Sequence, residues 1–184
     1  MGFDLTKTLA EHRAAVEAVA AIEAPILAAA QLLKSALARQ GTIYICGNGG
    51  SAADAQHFAA ELTGRFEKDR RGYPAVALTT DTSALTSIGN DYGFDHIFSR
   101  QLQALARPGD VLLAISTSGN SGNVLRAVEY ARANDIRVIA LTGRDGGAMA
   151  RQADVALNIA MQRTARIQEM HILILHMLCE AIEA

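Results

Sequence analysis

The sequence predicts an α/β fold in which five parallel strands form one sheet with helices on both faces. Half of its 184 residues are hydrophobic, which is enough for the sizeable core of a single domain. Several short apolar runs lack polar alternation, as expected of strands buried on both faces. Helical stretches separate these runs, and such an alternation produces a parallel sheet.

The first forty residues are predicted to be helical. Asp4 is expected to cap a helix that runs to about Ala21. Pro25 fits the first turn of a second helix. We expect this helix to end near residues 39–41, with Gly41 as its C-cap.

The sheet and its helices are predicted from residue 42 onward. Strands are expected at residues 42–46, 75–78, 111–115, 138–141 and 155–159, and helices at 51–63, 95–106, 121–134 and 164–183. The last helix is too apolar to lie free on a surface, so we expect it to be buried in the domain or in an oligomer interface.

Composition excludes several classes of function. A net charge of -2 gives no electrostatic case for binding nucleic acid, and the charged run at residues 68–71 is expected to be a solvated loop. Cys46 and Cys179 do not form a CxxC pair and are expected to be buried thiols of a reducing compartment. Without an apolar leader or an 18-residue apolar stretch, the chain is predicted to be cytoplasmic, with no membrane partner.

Two glycine- and serine-rich loops follow predicted strands. Residues 46–51 read CGNGGS and residues 116–121 read STSGNS. The carboxyl ends of parallel strands are where open α/β sheets bind ligands. Glycines let backbone amides approach an anion, and the N-terminus of the following helix favours negative charge. Four hydroxyls in the second loop add donors, from Ser116, Thr117, Ser118 and Ser121.

Neither loop is a dinucleotide fingerprint or a Walker loop. One such loop alone could be an ordinary turn, with Ser51 or Ser121 as an N-cap. Two of them on parallel strands of one sheet favour a compact phosphate ester. By hydroxyl count, residues 116–121 are the predicted phosphate pocket, and residues 48–51 are predicted to line the rest of the ligand.

The helix after the first loop carries Asp54, His57 and Glu61. His57 and Glu61 are four residues apart and therefore share a face of the helix. They are either a solvent-exposed pair or two ligands of a divalent metal.

The last helix offers Gln168, His171 and His176. Gln168 and His176 share one broad face, whereas His171 points elsewhere and is expected to be a core histidine. The eight residues between Gln168 and His176 rise about 12 Å, so one ion would be a stretch for both. Both side chains could reach one ion if one of them came from a neighbouring subunit. We therefore hypothesise an active site at a subunit interface.

The sequence resembles the phosphoheptose isomerases of the sugar isomerase (SIS) domain superfamily over nearly its whole length. The resemblance is densest in GNGGSAADAQHFAAELTGRF (47–66), GNDYGFDHIFSR (89–100), GDVLLAISTSGNS (109–121), ALTGRDGG (140–147) and ARIQEMH (165–171). It implies a flavodoxin-like three-layer sandwich, one Zn²⁺ per subunit and a homotetramer with inter-subunit active sites. The helices at 4–40 and 164–183 would then contribute to oligomerisation of the single domain, residues 1–184.

The resemblance also implies the residues of the site. The zinc ligands would be His57, Glu61, Gln168 and His176. The substrate contacts would be Asn48, Gly49, Gly50, Ser51, Glu61, Arg65, Asn90, Asp91, Ser116, Thr117, Ser118, Ser121 and Gln168.

The reaction implied is isomerisation of sedoheptulose 7-phosphate to D-glycero-D-manno-heptose 7-phosphate through an enediol. This is the first step towards the ADP-heptose and GDP-heptose precursors used for lipopolysaccharide core. Glu61 is the candidate base and His176 the candidate acid. A carboxylate bound to zinc is a poorer base, so the roles of zinc ligand and general base compete at Glu61. The sequence does not decide between these two roles.

Two features bear on the alternatives. Ala165 stands where some relatives carry Asp, so an acid–base group there is absent or moved. Residues 164–171 also resemble a non-enzymatic branch, the replication regulators that bind the initiator protein. That branch lacks the acidic residue and the histidine present here as Glu61 and His176, which favours the enzyme. A sugar-phosphate sensor and an isomerase of hexosamine or pentose phosphates are the remaining alternatives.

Overall fold

The computed structural model describes residues 2–184 and contains a parallel sheet between two layers of helices. The order along the sheet is β2-β1-β3-β4-β5, which is the flavodoxin-like order. All four neighbouring pairs are parallel. The predicted fold class is therefore confirmed. The strands are β1 (Ile43–Gly47), β2 (Ala75–Ala77), β3 (Val111–Ser116), β4 (Arg137–Gly143) and β5 (Val155–Ile159).

The helices divide between the two faces of the sheet. The helices are α1 (Leu5–Ala20), α2 (Glu23–Ala38), α3 (Gly50–Thr63), α4 (Thr82–Tyr92), α5 (Ser99–Leu105), α6 (Gly122–Ala133), α7 (Gly147–Gln152) and α8 (Thr164–Glu183). The first layer contains α1, α2, α3 and α8, whose apolar side chains share a core with Ile43 and Ile45 of β1. The second contains α5, α6 and α7, packed with Tyr44 and Cys46. Alternate residues of one strand thus serve opposite layers.

Burial along the sheet follows the position of each strand. Every residue of β1 and β3 is buried, whereas the edge strands β2 and β5 are partly exposed. The long apolar runs of the sequence therefore mark the central strands, which have helices on both faces.

The helix ends confirm one expectation and correct another. Asp4 caps α1, because its carboxylate accepts the Lys7 amide at 3.0 Å. The expectation that Gly41 is the C-cap of α2 is wrong: Gln40 has the left-handed backbone, with φ 61°. The helix ends earlier, at Ala38. Glycine at position 41 is instead required by close packing, because a Cβ there would lie 3.0 Å from the carbonyl oxygen of Gly109.

Three further expectations need correction. The helix expected at residues 95–106 is a 3₁₀ turn, Phe94–His96, followed by α5, because the chain bends between them. Helices α4 and α7 were not predicted; α4 buries none of its residues and so carries little apolar pattern. The run at residues 68–71 is not simply a solvated loop, because the Arg70 side chain is only 13% exposed and pairs with Glu183.

The first layer contains α8 as predicted, with the expected bounds at residues 164 and 183. It is buried within the domain, and an apolar cleft of about 300 Å³ remains open between α8, α1 and α2. Both cysteines are free and buried, as predicted. From Gly2 to Ala184 no single helix is long and apolar enough to cross a membrane; only α1 and α2 together, bent by 64°, satisfy that test of length and composition.

Candidate active site

The two loops lie side by side at the carboxyl edge of the sheet. Gly47 ends β1 and pairs in register with Ile115, the residue before the end of the neighbouring strand β3. In this strand order β1 and β3 flank the point where the chain reverses its direction across the sheet, which is where open α/β sheets bind ligands. Gly49 leads into α3 with φ 58°, a backbone conformation that glycine adopts readily.

An amide pair joins the two loops. The side chains of Asn48 and Asn123 exchange two hydrogen bonds, each of 2.8 Å. Asn123 lies in the first turn of α6, is only 2% exposed, and also accepts the amide of Val124 at 2.9 Å. Asn48 was predicted as a site residue from the sequence, whereas Asn123 was not. The signal for Asn123 was an amide side chain in the first turn of the helix that follows the serine-rich loop.

Three of the four predicted hydroxyls in the second loop meet at one point. The hydroxyl of Ser116 lies 2.9 Å from that of Ser121 and 3.3 Å from that of Ser118. Ser121 occupies the N-cap position of α6, but its side chain makes no capping hydrogen bond. The hydroxyls and the first amides of α6 therefore face the same end of the sheet, and such an arrangement can bind an anion.

Helices α3 and α8 bring together three of the predicted chemical groups. His57 Nε2 lies 3.1 Å from Glu61 Oε1 and 3.1 Å from His176 Nε2. The ring of Phe66 stacks on that of His176, with centroids 5.7 Å apart. The side chain of Glu61 is 25% exposed, so this cluster is open to a ligand.

Gln168 lies away from this cluster. Its side chain covers Gly50, where an added Cβ would lie 2.4 Å from Gln168 Nε2. His57 is seven residues further along α3, a rise of about 10 Å. Within one chain, Gln168 therefore lies beside the first loop, whereas His176 lies beside His57. Over residues 2–184, no group of three or more His, Cys, Asp or Glu side chains is placed to hold a metal ion.

Asp54 adds a carboxyl group one turn before His57. Its Oδ2 atom is buried and has no hydrogen-bond partner among the described residues. Burial raises the pKa of Asp54 to about 6, although the nearby charge of His57 opposes the rise. This carboxyl group therefore keeps its proton to a higher pH than an ordinary aspartate does.

Three predicted substrate contacts lie outside these clusters in the isolated chain. Asn90 and Asp91 are exposed at the end of α4, where the Asn90 amide donates to Asp91 at 2.8 Å. Arg65 is exposed and donates to the carbonyl of Glu67 at 3.4 Å. Their predicted role in binding substrate stays a prediction.

His171 is a core histidine, as predicted. It is fully buried, and its Nε2–H donates to the carbonyl of Thr142 at 3.0 Å. Burial lowers its pKa to about 4, so the ring is neutral at physiological pH.

A small cleft opens beside the first loop. Its volume is about 160 Å³, and it separates the loop from the 3₁₀ turn and the start of α5. The lining residues are Gly47, Asn48, Gly49, Ala52, Thr79, Leu85, Phe94, Ile97 and Phe98.

Comparisons with known proteins match the fold and nearly the whole length of the chain. The SIS domain family matches residues 9–143. A phosphoheptose isomerase of Neisseria gonorrhoeae (strain NCCP11945) is 61% identical over 175 residues, which cover 94% of this chain and 89% of the relative. A solved structure of phosphoheptose isomerase GmhA from Neisseria gonorrhoeae superposes with a TM-score of 0.92 at 56% identity, covering 97% of this chain and 96% of that one. A phosphoheptose isomerase from Francisella tularensis superposes with a TM-score of 0.90 at 40% identity, covering 98% of both chains.

Proposed function

The chain belongs to the phosphoheptose isomerase family of SIS-domain proteins, and from this premise we propose that it converts sedoheptulose 7-phosphate into D-glycero-D-manno-heptose 7-phosphate. It is an aldose–ketose isomerase, and the alternative of a non-enzymatic replication regulator is not favoured. The observation that carries the proposal is the meeting of His57, Glu61 and His176 within 3.1 Å contacts, on helices that begin beside the ligand-binding edge.

The phosphate is assigned to the second loop. The hydroxyls of Ser116, Ser118 and Ser121 gather in front of α6, whose first amides favour an anion. Thr117 lies in the same loop and offers a fourth hydroxyl. The sugar is assigned to residues 48–51 of the first loop, with the Gln168 side chain above Gly50.

The reaction moves a proton between C1 and C2 of the sugar through an enediol. A base takes the proton from C1 of the ketose and returns it to C2, while an acid protonates the carbonyl oxygen. Glu61 is the proposed base because its carboxylate is partly exposed at the cluster. His176 is the proposed acid, a role that requires a protonated ring nitrogen that is not bound to zinc. The ring of Phe66 packs on its imidazole.

One zinc ion per subunit forms part of the proposal. Neighbouring ligand atoms around a tetrahedral zinc with bonds of about 2.0–2.1 Å lie roughly 3.3 Å apart. The contacts of His57 with Glu61 and with His176, both 3.1 Å, are close to that spacing, and two imidazoles with a carboxylate are a common zinc ligand set. Within residues 2–184 of one chain the three side chains do not surround a common metal position, so the proposal needs a further ligand from a neighbouring subunit. When bound, zinc supplies a Lewis acid that polarises the substrate carbonyl.

A homotetramer with shared active sites extends the proposal. Gln168 of the same chain lies with the first loop, so a neighbouring subunit is the proposed source of the remaining ligand and of substrate contacts. The apolar cleft between α1, α2 and α8 is the proposed contact surface. A cytoplasmic location agrees with two free thiols, because reducing compartments keep cysteines unpaired.

A coupled assay with sedoheptulose 7-phosphate, run with and without a chelator, tests the proposal. We expect turnover that falls when the metal is removed and returns when zinc is added back. Hexosamine and pentose phosphates serve as competing substrates and are expected to react more slowly. Absence of product from sedoheptulose 7-phosphate under every condition would overturn the proposed function and favour the replication regulator.

A further inference from the structure

A carboxylate of α8 organises the irregular segment that follows α3. The side chain of Glu183 accepts the backbone amides of Phe66, Glu67 and Lys68 at 3.2, 3.0 and 2.9 Å. It also accepts Arg70 Nε at 2.8 Å. The Glu183 side chain is only 3% exposed. One carboxylate therefore fixes three consecutive peptide groups of a segment that has no hydrogen-bonded ladder of its own.

These hydrogen bonds favour the ionised form of the carboxyl group. The amide of Lys68, followed by the amides of Glu67 and Phe66 and by Arg70, lowers the pKa of Glu183 to about 2, although burial acts in the opposite direction. The anchor is therefore charged at every pH at which an isomerase would work.

Arg70, the partner of Glu183, donates hydrogen bonds to carbonyl groups at the C-terminal end of α3. Arg70 Nη2 donates to the carbonyl of Glu61 at 3.0 Å, and Arg70 Nη1 donates to that of Leu62 at 3.0 Å. The last carbonyls of a helix have no intrahelical partner, and a cation there also suits the helix dipole. The C-cap Gly64 has φ −83°, so no left-handed glycine performs this task. Arg70 is thus the cap of the turn that carries Glu61.

Glu183 is also connected to the imidazole of His176, through Phe66. Phe66, whose amide is held by Glu183, stacks its ring on His176 with an interplanar angle of 29°. Glu183 lies seven residues after His176 on α8, about two helical turns away. The pair thus connects the helix that carries Glu61, the ring that packs on His176, and the helix that carries His176.

Stabilisation of the folded state is one effect of this arrangement, because the contacts that lower the pKa of Glu183 favour the folded chain. The hydrogen bonds of the pair also converge on the backbone of Glu61 and on the peptide that carries Phe66. They can therefore position two residues of the site as well.

We propose that Arg70 and Glu183 are positioning residues of the isomerase, which hold the carboxylate of Glu61 and the ring of Phe66 in register with His176. This inference rests on the proposed function. Neither residue touches the substrate in this assignment, and both act through the residues that do.

Kinetics of Glu183→Gln and Arg70→Lys test the inference. Glu183→Gln keeps the size of the side chain and one acceptor oxygen, whereas Arg70→Lys keeps the positive charge but loses the fork of donors that joins Glu183 to the end of α3. We expect kcat to fall about 10-fold to 100-fold, the range typical of partners that orient active-site groups. KM should change less than about threefold, since the proposed phosphate contacts lie on the separate loop at residues 116–121.

Two matched controls separate positioning from stability. Asp154→Asn removes a carboxylate that accepts the Val138 amide at 2.7 Å and pairs with Arg137 at 2.9 Å, far from the cluster. It should lower the melting temperature and leave kcat unchanged. Glu180→Gln changes an exposed carboxylate of the same helix and should alter neither quantity.

A measurement on the metal-free protein provides a readout that does not depend on turnover. The imidazole C–H chemical shifts of His176 should move in both variants, because the stacked ring of Phe66 shifts, and those of buried His171 should stay in place. Wild-type kcat together with an unchanged His176 signal in Glu183→Gln would overturn the inference. If wild-type protein lacks isomerase activity, the proposed function fails, whereas the His176 signal still decides whether the pair positions that ring.

Discussion

The Nε2 atoms of His57 and His176 lie 3.1 Å apart, although 119 positions separate the two residues in the chain. Helices α3 and α8 pack in the same layer, and this packing places both imidazoles beside the carboxylate of Glu61. Two imidazoles and one carboxylate therefore lie together at one place on the protein surface. Its consequences can be tested residue by residue.

Glu61→Gln separates the two roles proposed for this residue, which are general base and zinc ligand. The amide keeps the shape and one oxygen ligand but cannot accept a proton from C1. We expect kcat to fall by about 100-fold or more, the range of general base catalysis, while the zinc content measured by elemental analysis is retained. Glu129→Gln, at an exposed ion pair on α6, is the control and should behave as wild type. Normal turnover of Glu61→Gln would remove the assignment of this residue as base.

Ser121→Ala tests the phosphate pocket. The hydroxyl caps no backbone group and contacts that of Ser116, so its removal should weaken binding rather than folding. We expect KM to rise about tenfold, as for one lost hydrogen bond to a charged group, with little change in kcat. The inhibition constant of inorganic phosphate should rise in parallel. Ser87→Ala on exposed α4 is the matched change, and an equal effect there would contradict the assignment.

Asn123→Ala tests the amide pair between the loops. The change leaves the Asn48 amide without its two partners in a part-buried place. We expect the free energy of unfolding in urea to fall by about 1–3 kcal/mol, and KM to rise because the two loops lose their fixed spacing. Asn134→Ala, which removes an exposed amide at the end of α6, should change neither quantity as much. An unaltered KM in a destabilised Asn123→Ala would limit Asn123 to a structural role.

His171→Gln tests the pH dependence of stability in the metal-free protein. The pKa of His171 falls from 6.5 when unfolded to about 4 when folded, so its contribution is complete above pH 6.5 and is lost as the pH falls towards 4. Asp54 acts in the opposite direction, because its pKa rises from 3.8 to about 6 on folding and stability is gained as the pH falls through that window.

The two trends should partly cancel in the wild-type protein between pH 6 and pH 5, a range in which Glu183 is largely ionised in both the folded and the unfolded chain. In His171→Gln the free energy of unfolding should therefore increase as the pH falls through this range, and in Asp54→Asn it should decrease steeply. Urea titrations at a series of pH values measure both. Parallel pH profiles in the two variants would contradict the assigned pKa directions.

Features that depend on residues close in the chain were predictable from the sequence. The contact of His57 with Glu61 follows from a spacing of four on one helix, and Asp4 was recognised as an N-cap from its place before an apolar pattern. The central strands β1 and β3 were predicted because burial on both faces demands continuous apolar residues. Helix α4 escaped prediction because it buries no residue, and Gly41 was misassigned because Gln40 accepts the left-handed backbone.

By itself, the sequence determined the fold class, the two loops and the residue types available for chemistry. The tertiary structure alone decided which of them meet: His57 with His176, Asn48 with Asn123, and Arg70 with Glu183. The physical reason lies in the range of the forces. Helix periodicity, capping and strand burial are set by neighbours within a few residues, whereas these contacts arise only when the packing of α3, α6 and α8 on one sheet brings distant side chains to the same edge.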